Sequence, residues 1–527
     1  MMSARSLSTW LYRALKKRGI HLRRPSVTPA HRKVRSSDKW RELKEVLLEA
    51  LSAASARKDW MNHRELDALL KRIEGIEQKE RDHPLVEAIF NGTPDTLGKI
   101  APTLTADRLG LGDRFSASQL EAVQKANEFP VLFIWGPPGS GKTGVLTEIL
   151  RGFVGGGERT LLCCHTKAAL KTATDELDPS VRDSDLLTAR TVSSVIQDES
   201  IEHGYDNVLI DEASLVGLPQ ILFVCSLSSK RVIFVGDPMQ LGPIAHESTA
   251  DASWWLRRDI FLHQANTDDV SALYGWQDQH RSICVLLKET FDIPEKLFLV
   301  TNQLFYMGRL TNQTQSEGAI SFIDTTKLNP ELSGRKRSPV NAVHAEIIAE
   351  EVGWLLEQAS VQDSGQSIGI VTPFNEQRRY LEHLMKVRGL PEEIEVGTVH
   401  TFQGRGKACL IFDVTASHVD HPFQNLGGST TADGQAVRML NSALSCCRTT
   451  ADGSDARLVV VANYQHVKDV YPGSVLLHFL ERIRSRADKL IEPENAPDLL
   501  SIGNYANKNI SRFEKTTALL TEELRKE

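Results

Sequence analysis

The segment Gly136-Pro137-Pro138-Gly139-Ser140-Gly141-Lys142-Thr143 follows directly on the apolar run Val131 to Trp135. After it, Val145, Leu146, Ile149 and Leu150 recur at helical spacing. Strand, glycine-rich loop and helix in that order make a phosphate-binding loop in the context such a loop requires. The glycines let backbone N–H groups turn inward around phosphates, Lys142 can reach the β- and γ-phosphates, and the Thr143 hydroxyl can ligate Mg²⁺. The helix start adds its partial positive charge. Gly136 through Thr143 are therefore candidate ligands of a nucleoside triphosphate, and the surrounding fold has to be α/β around a parallel sheet.

A chain of 527 residues exceeds one ordinary core and suggests about three or four domains. Its 41% hydrophobic and 25% charged residues match a globular protein, and no apolar run is long enough for a membrane span. The seven cysteines (Cys163, Cys164, Cys225, Cys284, Cys409, Cys446 and Cys447) form no CxxC pair, so neither a zinc site nor a disulfide framework is indicated. A reducing, cytoplasmic setting is the expectation. The net charge of −6 hides an uneven distribution. Residues 1–37 contain no acid and ten Lys or Arg, with Leu7, Trp10, Leu11, Ala14 and Leu15 at helical spacing. This basic amphipathic arm has three readings: a contact for nucleic-acid phosphates, a plain solvated helix, or a mitochondrial transit peptide.

Five regions are expected. After the arm, 38–110 is helical and charged, with no chemistry evident. Residues 111–275 alternate strands and helices, with strands at Val131–Trp135, Leu161–Cys164, Asn207–Ile210 and Val232–Val235. The pattern restarts in 276–474, with strands at Ser367–Val371, Glu395–Thr398, Cys409–Thr415 and Arg457–Ala462. Residues 475–527 read as a helical, charged tail. Only the first α/β region carries a phosphate loop.

The strand ending at Ile210 runs into Asp211-Glu212-Ala213-Ser214. Paired carboxylates at a strand end suit Mg²⁺-assisted hydrolysis, Asp211 holding the metal and Glu212 orienting the attacking water. The next strand ends in Gly236-Asp237-Pro238-Met239-Gln240-Leu241-Gly242-Pro243, where Gln240 is the candidate γ-phosphate sensor.

Phosphate loop, DEAS and GDPxQLxP in this order resemble superfamily 1 DNA and RNA helicases, most closely the branch of the RNA helicase of nonsense-mediated decay. Phe115-Ser116-Ala117-Ser118-Gln119 is similar to that branch's glutamine motif, which implies that Gln119 reads adenine. Leu162 to Lys167 stands where the first nucleic-acid-contacting motif belongs. Gln279-His280-Arg281-Ser282 resembles an element whose arginine reaches the γ-phosphate, and Phe305-Tyr306 with Leu310 resembles a further signature. Ile370 to Phe374 with Gln377, Val399-His400-Thr401-Phe402-Gln403-Gly404, and Leu440 to Arg448 resemble the remaining motifs. The resemblance spans about 111–470. It implies two tandem RecA-like domains, ATP and Mg²⁺ as cofactors, Arg281 and Arg448 as arginines acting on the phosphates, and 5′-to-3′ movement on single-stranded DNA or RNA. His165, Thr166, Lys167, Thr372 and Thr401 are the residues expected along the strand, since hydroxyl and cationic groups suit backbone phosphates.

Two departures bear on this. Gly406 stands where the family usually has a nucleotide-contacting Glu, and Cys446 replaces the first of two arginines in the last motif. The short span between Leu177 and Asp211 leaves little room for accessory insertions. An ATP-gated switch, clamping nucleic acid or protein without processive unwinding, is therefore the alternative reading. A protein partner such as a nuclease would fit either.

Overall fold

The computed structural model describes residues 43–48, 50–51, 60–78, 83–103, 114–201, 204–243, 255–267, 269–328, 332–335, 338–357, 367–402, 405–417, 434–449 and 456–492. The basic arm, Gln403-Gly404 and most of the expected tail lie outside them.

In the N-terminal region, α1 (Trp60–Gln78) buries Leu66, Leu69, Leu70 and Ile73, the spacing of one helical face. It packs on domain 1, where the Arg72 guanidinium sits 4.7 Å over the Phe223 ring. Each such buried aliphatic side chain contributes about 1.5–3 kcal/mol relative to exposure.

Domain 1 opens with α2 (Ala117–Glu128) and β1 (Val131–Trp135), which feeds α3 (Lys142–Gly155). Four strands follow: β2 (Thr160–Cys164), β3 (Leu187–Thr191), β4 (Tyr205–Asp211) and β5 (Ser228–Gly236). After α4 (Ala272–Gln279) comes β6 (Cys284–Leu286). All pairings are parallel, in the order β3-β2-β4-β5-β1-β6. The central strands are buried on both faces, which explains their unbroken apolar runs.

The chain crosses to domain 2 through α5 (Glu295–Phe305). Its sheet holds β7 (Ala319–Asp324), β8 (Ile368–Thr372), β9 (Glu395–Thr398), β10 (Cys409–Asp413) and β11 (Arg457–Ala462). Helix α6 (Gly434–Leu444) precedes β11, and α7 (Val475–Arg486) leads into β12 (Lys489–Ile491). The order is β9-β8-β10-β11-β7-β12, again all parallel. The two sheets share one topology, strand for strand: 3-2-4-5-1-6.

That repetition corrects both expected boundaries. The cut at 275/276 removes β6 from domain 1, and the cut at 474/475 removes β12 from domain 2. In each case the lost piece is the sixth, edge strand. Each is three residues long, too short to show a period. The expected tail accordingly contributes α7, whose Val475, Leu476, Phe479, Leu480 and Ile483 are core residues. Among the described residues no helix is long and apolar enough to cross a membrane, and the seven cysteines are buried and free.

Candidate nucleotide site between the two sheets

In parallel sheets ligands gather at the carboxyl ends of the strands, and the candidate residues of domain 1 gather there. Gly139 and Gly141 hold φ of +70° and +73°, the left-handed region that turns the loop over the start of α3. Lys142 Nζ donates to the Gly136 carbonyl at 2.8 Å, and Ser140 Oγ donates to Pro137 O at 2.7 Å. Gln119 is committed at both ends of its amide. Its Oε1 accepts from Ser116 N at 2.8 Å, capping α2, and its Nε2 donates to Ser140 O at 2.9 Å. It is buried against the loop, so in this arrangement it braces the phosphate loop.

At the end of β4, Asp211 Oδ1 accepts the Glu212 N–H at 2.9 Å. Glu212 has φ +51°, a strained value for a residue with a side chain, and its Oε2 is buried with no hydrogen-bond partner among the described residues. Burial, and then the adjacent Glu212 carboxylate, pushes Asp211 above the ordinary carboxylate range, against the pull of Lys142. An elevated carboxylate and an unpartnered one line the same cavity as Thr143, and all three offer the hard oxygen donors that Mg²⁺ takes. The residues present fit a magnesium nucleotide.

Gln240 is buried at the end of β5, with Nε2 donating to Asp237 Oδ2 at 3.3 Å. Asp237 also accepts from Trp135 Nε1 at 3.0 Å, Met239 N at 3.0 Å and Tyr306 Oη at 2.6 Å. Tyr306 in turn accepts from Asn441 Nδ2 at 2.6 Å, and Ser442 Oγ accepts the Leu241 N–H at 2.8 Å. The candidate sensor segment is thus bonded to domain 2.

A cavity of about 970 Å³ opens between the domains. Domain 1 lines it with Gly139–Gly144, His165, Thr166, Asp211 and Glu212; domain 2 contributes His400, Thr401, Arg405 and Arg448. Helix α1 adds Glu65, Leu66 and Leu69, in a region where the sequence suggested no chemistry.

The two expected arginines part company here. Arg448 lines the cavity, with Nε donating to Ser445 O at 2.9 Å. Arg281 does not. It precedes β6, at the amino end of a strand parallel to β1, opposite the end carrying the phosphate loop. Its side chain is 71% exposed and paired to Asp278 at 2.8 Å. The residue that reaches the loop from this part of the chain is Asp292. It accepts from Arg448 Nη1 at 3.3 Å, and a Cβ on Gly139 would collide with its Oδ1. Nothing in the motif reading singled out Asp292, because its role depends on where the end of β6 delivers it.

Of the residues expected along a strand, His165, Thr166, Lys167 and Thr401 are exposed, while Thr372 is buried with its hydroxyl 2.9 Å from Thr415 Oγ1. Thr372 can position that region but presents no surface to a polymer. Thr166 Oγ1 also caps the following helix by accepting from Ala169 N at 3.1 Å. At the departures, a Cβ on Gly406 would lie 3.2 Å from Arg448 Cδ, so position 406 abuts the stem of the arginine. Cys446 is buried, its Sγ donating toward Phe402 O at 3.4 Å and Ser442 O at 3.3 Å. Burial pushes that thiol up to about 11. It packs an interior position, not a cationic one.

Two family descriptions, each an AAA domain, match residues 114–253 and 269–450. The chain is 24% identical over 465 residues to regulator of nonsense transcripts 1 from Dictyostelium discoideum, covering 69% of this chain and 32% of that one. It is 23% identical over 434 residues to DNA polymerase alpha-associated DNA helicase A from Schizosaccharomyces pombe, covering 61% of this chain and 62% of that one. It therefore spans less than two thirds of the length of these curated relatives. Among solved structures, an arterivirus nonstructural protein 10 (helicase) in complex with DNA is similar at 13% identity with a TM-score of 0.37, over 67% of this chain and 65% of that one. Two RecA-like sheets of one topology, a phosphate loop in the first and an AAA-domain match in each half make the chain similar to helicases of superfamily 1, regulator of nonsense transcripts 1 among them.

Proposed function

We propose that this chain is an ATP-dependent helicase or translocase that moves on single-stranded DNA or RNA. The observation that carries the reading is the shared cavity, with Lys142, Thr143, Asp211 and Glu212 on one wall and Arg448 on the other. Bound MgATP supplies the phosphoryl group and the metal that neutralises its charge. Lys142 would bind the phosphates, Thr143 and Asp211 would hold the metal, and Glu212 would orient the attacking water and take its proton. Arg448 approaches as the domains close, and a guanidinium in that role is worth about 10³–10⁵ in rate in related enzymes. Closing and reopening alternately changes the grip of the two domains on a strand near His165, Thr166, Lys167 and Thr401. The resemblance to the family favours 5′-to-3′ movement.

The test is steady-state ATP hydrolysis with no polymer, with single-stranded DNA and with single-stranded RNA, using Lys142→Ala as the blank, followed by duplex displacement with each polymer. Stimulation by one polymer identifies the track. Hydrolysis indifferent to both would sink the motor reading. A second reading, an ATP-gated clamp that does not unwind, draws on the buried inter-domain bonds of Tyr306 and Asn441; it predicts polymer-stimulated hydrolysis without displacement.

A further inference from the structure

Asp292 lies where three parts of the cleft meet. The preceding Phe291 N–H donates to Gly139 O of the phosphate loop at 2.9 Å. The Asp292 carbonyl accepts from Thr449 N at 2.8 Å and from the Thr449 hydroxyl at 3.2 Å. Its Oδ2 accepts from Arg448 Nη1 at 3.3 Å, and its Oδ1 is buried with no hydrogen-bond partner among the described residues. The residue stands on the connection between β6 of domain 1 and α5, which packs on domain 2. A carboxylate against the phosphate loop is an unfavourable neighbour for a triphosphate and a favourable one for an arginine. Position 406, against the stem of Arg448, is a glycine and offers no carboxylate.

We propose that Asp292 is the resting counter-ion of Arg448, a positioning residue that holds the guanidinium off the phosphates until ATP replaces it. The inference rests on the reading above, in which ATP occupies the cavity and Arg448 acts on its phosphates. An entering γ-phosphate carries more negative charge than one carboxylate and is already held by Lys142. The guanidinium transfers to it, and the released Asp292 is repelled from the loop. Because Phe291 and Asp292 bond to opposite domains, that repulsion acts on the connection between them.

The experiment compares the wild-type chain with Asp292→Asn and Asp292→Ser, measuring equilibrium binding of a fluorescent ATP analogue with Mg²⁺ and ATP turnover without polymer. Both variants should bind the analogue more tightly and turn ATP over faster, each by about threefold or more, the scale of one partly exposed ion pair. In an Arg448→Ala background, Asp292→Asn should give no gain in turnover. Unchanged or weaker binding in both variants would overturn the proposal. So would an equal gain without Arg448, because Asp292 would then act on the nucleotide directly. If the wild-type chain hydrolyses no ATP with any polymer, the proposed function fails, while the binding measurement still decides the role of Asp292.

Discussion

Tyr306 and Asp237 are joined across the domain boundary: the Tyr306 hydroxyl donates to Asp237 Oδ2 at 2.6 Å while accepting from Asn441 Nδ2 at 2.6 Å. All three side chains are buried. Burial, together with the neighbouring Asp237, holds the Tyr306 phenol well above its ordinary range, so it stays a donor throughout the accessible pH range. Tyr306→Phe leaves Asp237 one donor short and leaves Asn441 Nδ2 with only the Met239 carbonyl, at 3.0 Å, as acceptor. It should lower stability by about 1–3 kcal/mol, read as a drop in denaturation midpoint. Because Asp237 also holds Gln240, polymer-stimulated turnover should fall further than the KM for ATP changes.

The two arginines should separate cleanly in kinetics. Arg448→Ala should reduce turnover by about 10³-fold or more, the loss expected for an arginine acting on the transferred phosphoryl group. Arg281→Ala removes an exposed pair to Asp278, worth about 0–1 kcal/mol, and should leave turnover within about twofold. Equal losses from the two would contradict the placement of Arg281 at the far end of β6.

Gln119 offers a test of loop bracing against base reading. Gln119→Glu keeps the acceptor for Ser116 N but loses the donor to Ser140 O, and sets a carboxylate against that carbonyl. If bracing dominates, the KM for ATP and that for GTP should rise together, by about tenfold for a buried bond lost. A rise for ATP alone would restore the adenine-reading role.

Away from the site, Glu158 lies just before β2 and bonds to Asn207 of β4 and Arg231 of β5. Burial would raise its carboxyl. The Lys230 ammonium, the Asn207 and Thr103 side chains and the Arg231 guanidinium more than offset this and hold it below the ordinary range. A depressed folded-state carboxyl stabilises the fold above the unfolded value near pH 4.3, and that contribution is lost as pH falls through the folded value. Acid unfolding of the wild type should therefore steepen below about pH 4. Glu158→Gln should flatten that dependence. It should also cost about 3–5 kcal/mol at neutral pH, because Arg231 is fully buried and loses its counter-charge.

Some of this molecule was legible as a string of residues. The phosphate loop, Asp211–Glu212 and the strands around them are contiguous, and their chemistry depends on neighbours a few residues away; apolar runs of three to five residues mark the central strands of domain 1. Other features had no local signal. β6 and β12 are three-residue edge strands, recognisable only because each completes a sheet of the same order as its twin. The cleft position of Asp292 and the exposure of Arg281 depend on which end of β6 each occupies, and a strand's direction relative to β1 is a property of the sheet. Thr372 looked like a surface hydroxyl until its strand was seen buried on both faces. Which side chains could handle a triphosphate was readable locally, since backbone turns and strand ends are short-range matters. Which charges face one another across the cavity follows from packing, because Arg448 and Asp292 lie 156 residues apart and meet only where the two sheets come together.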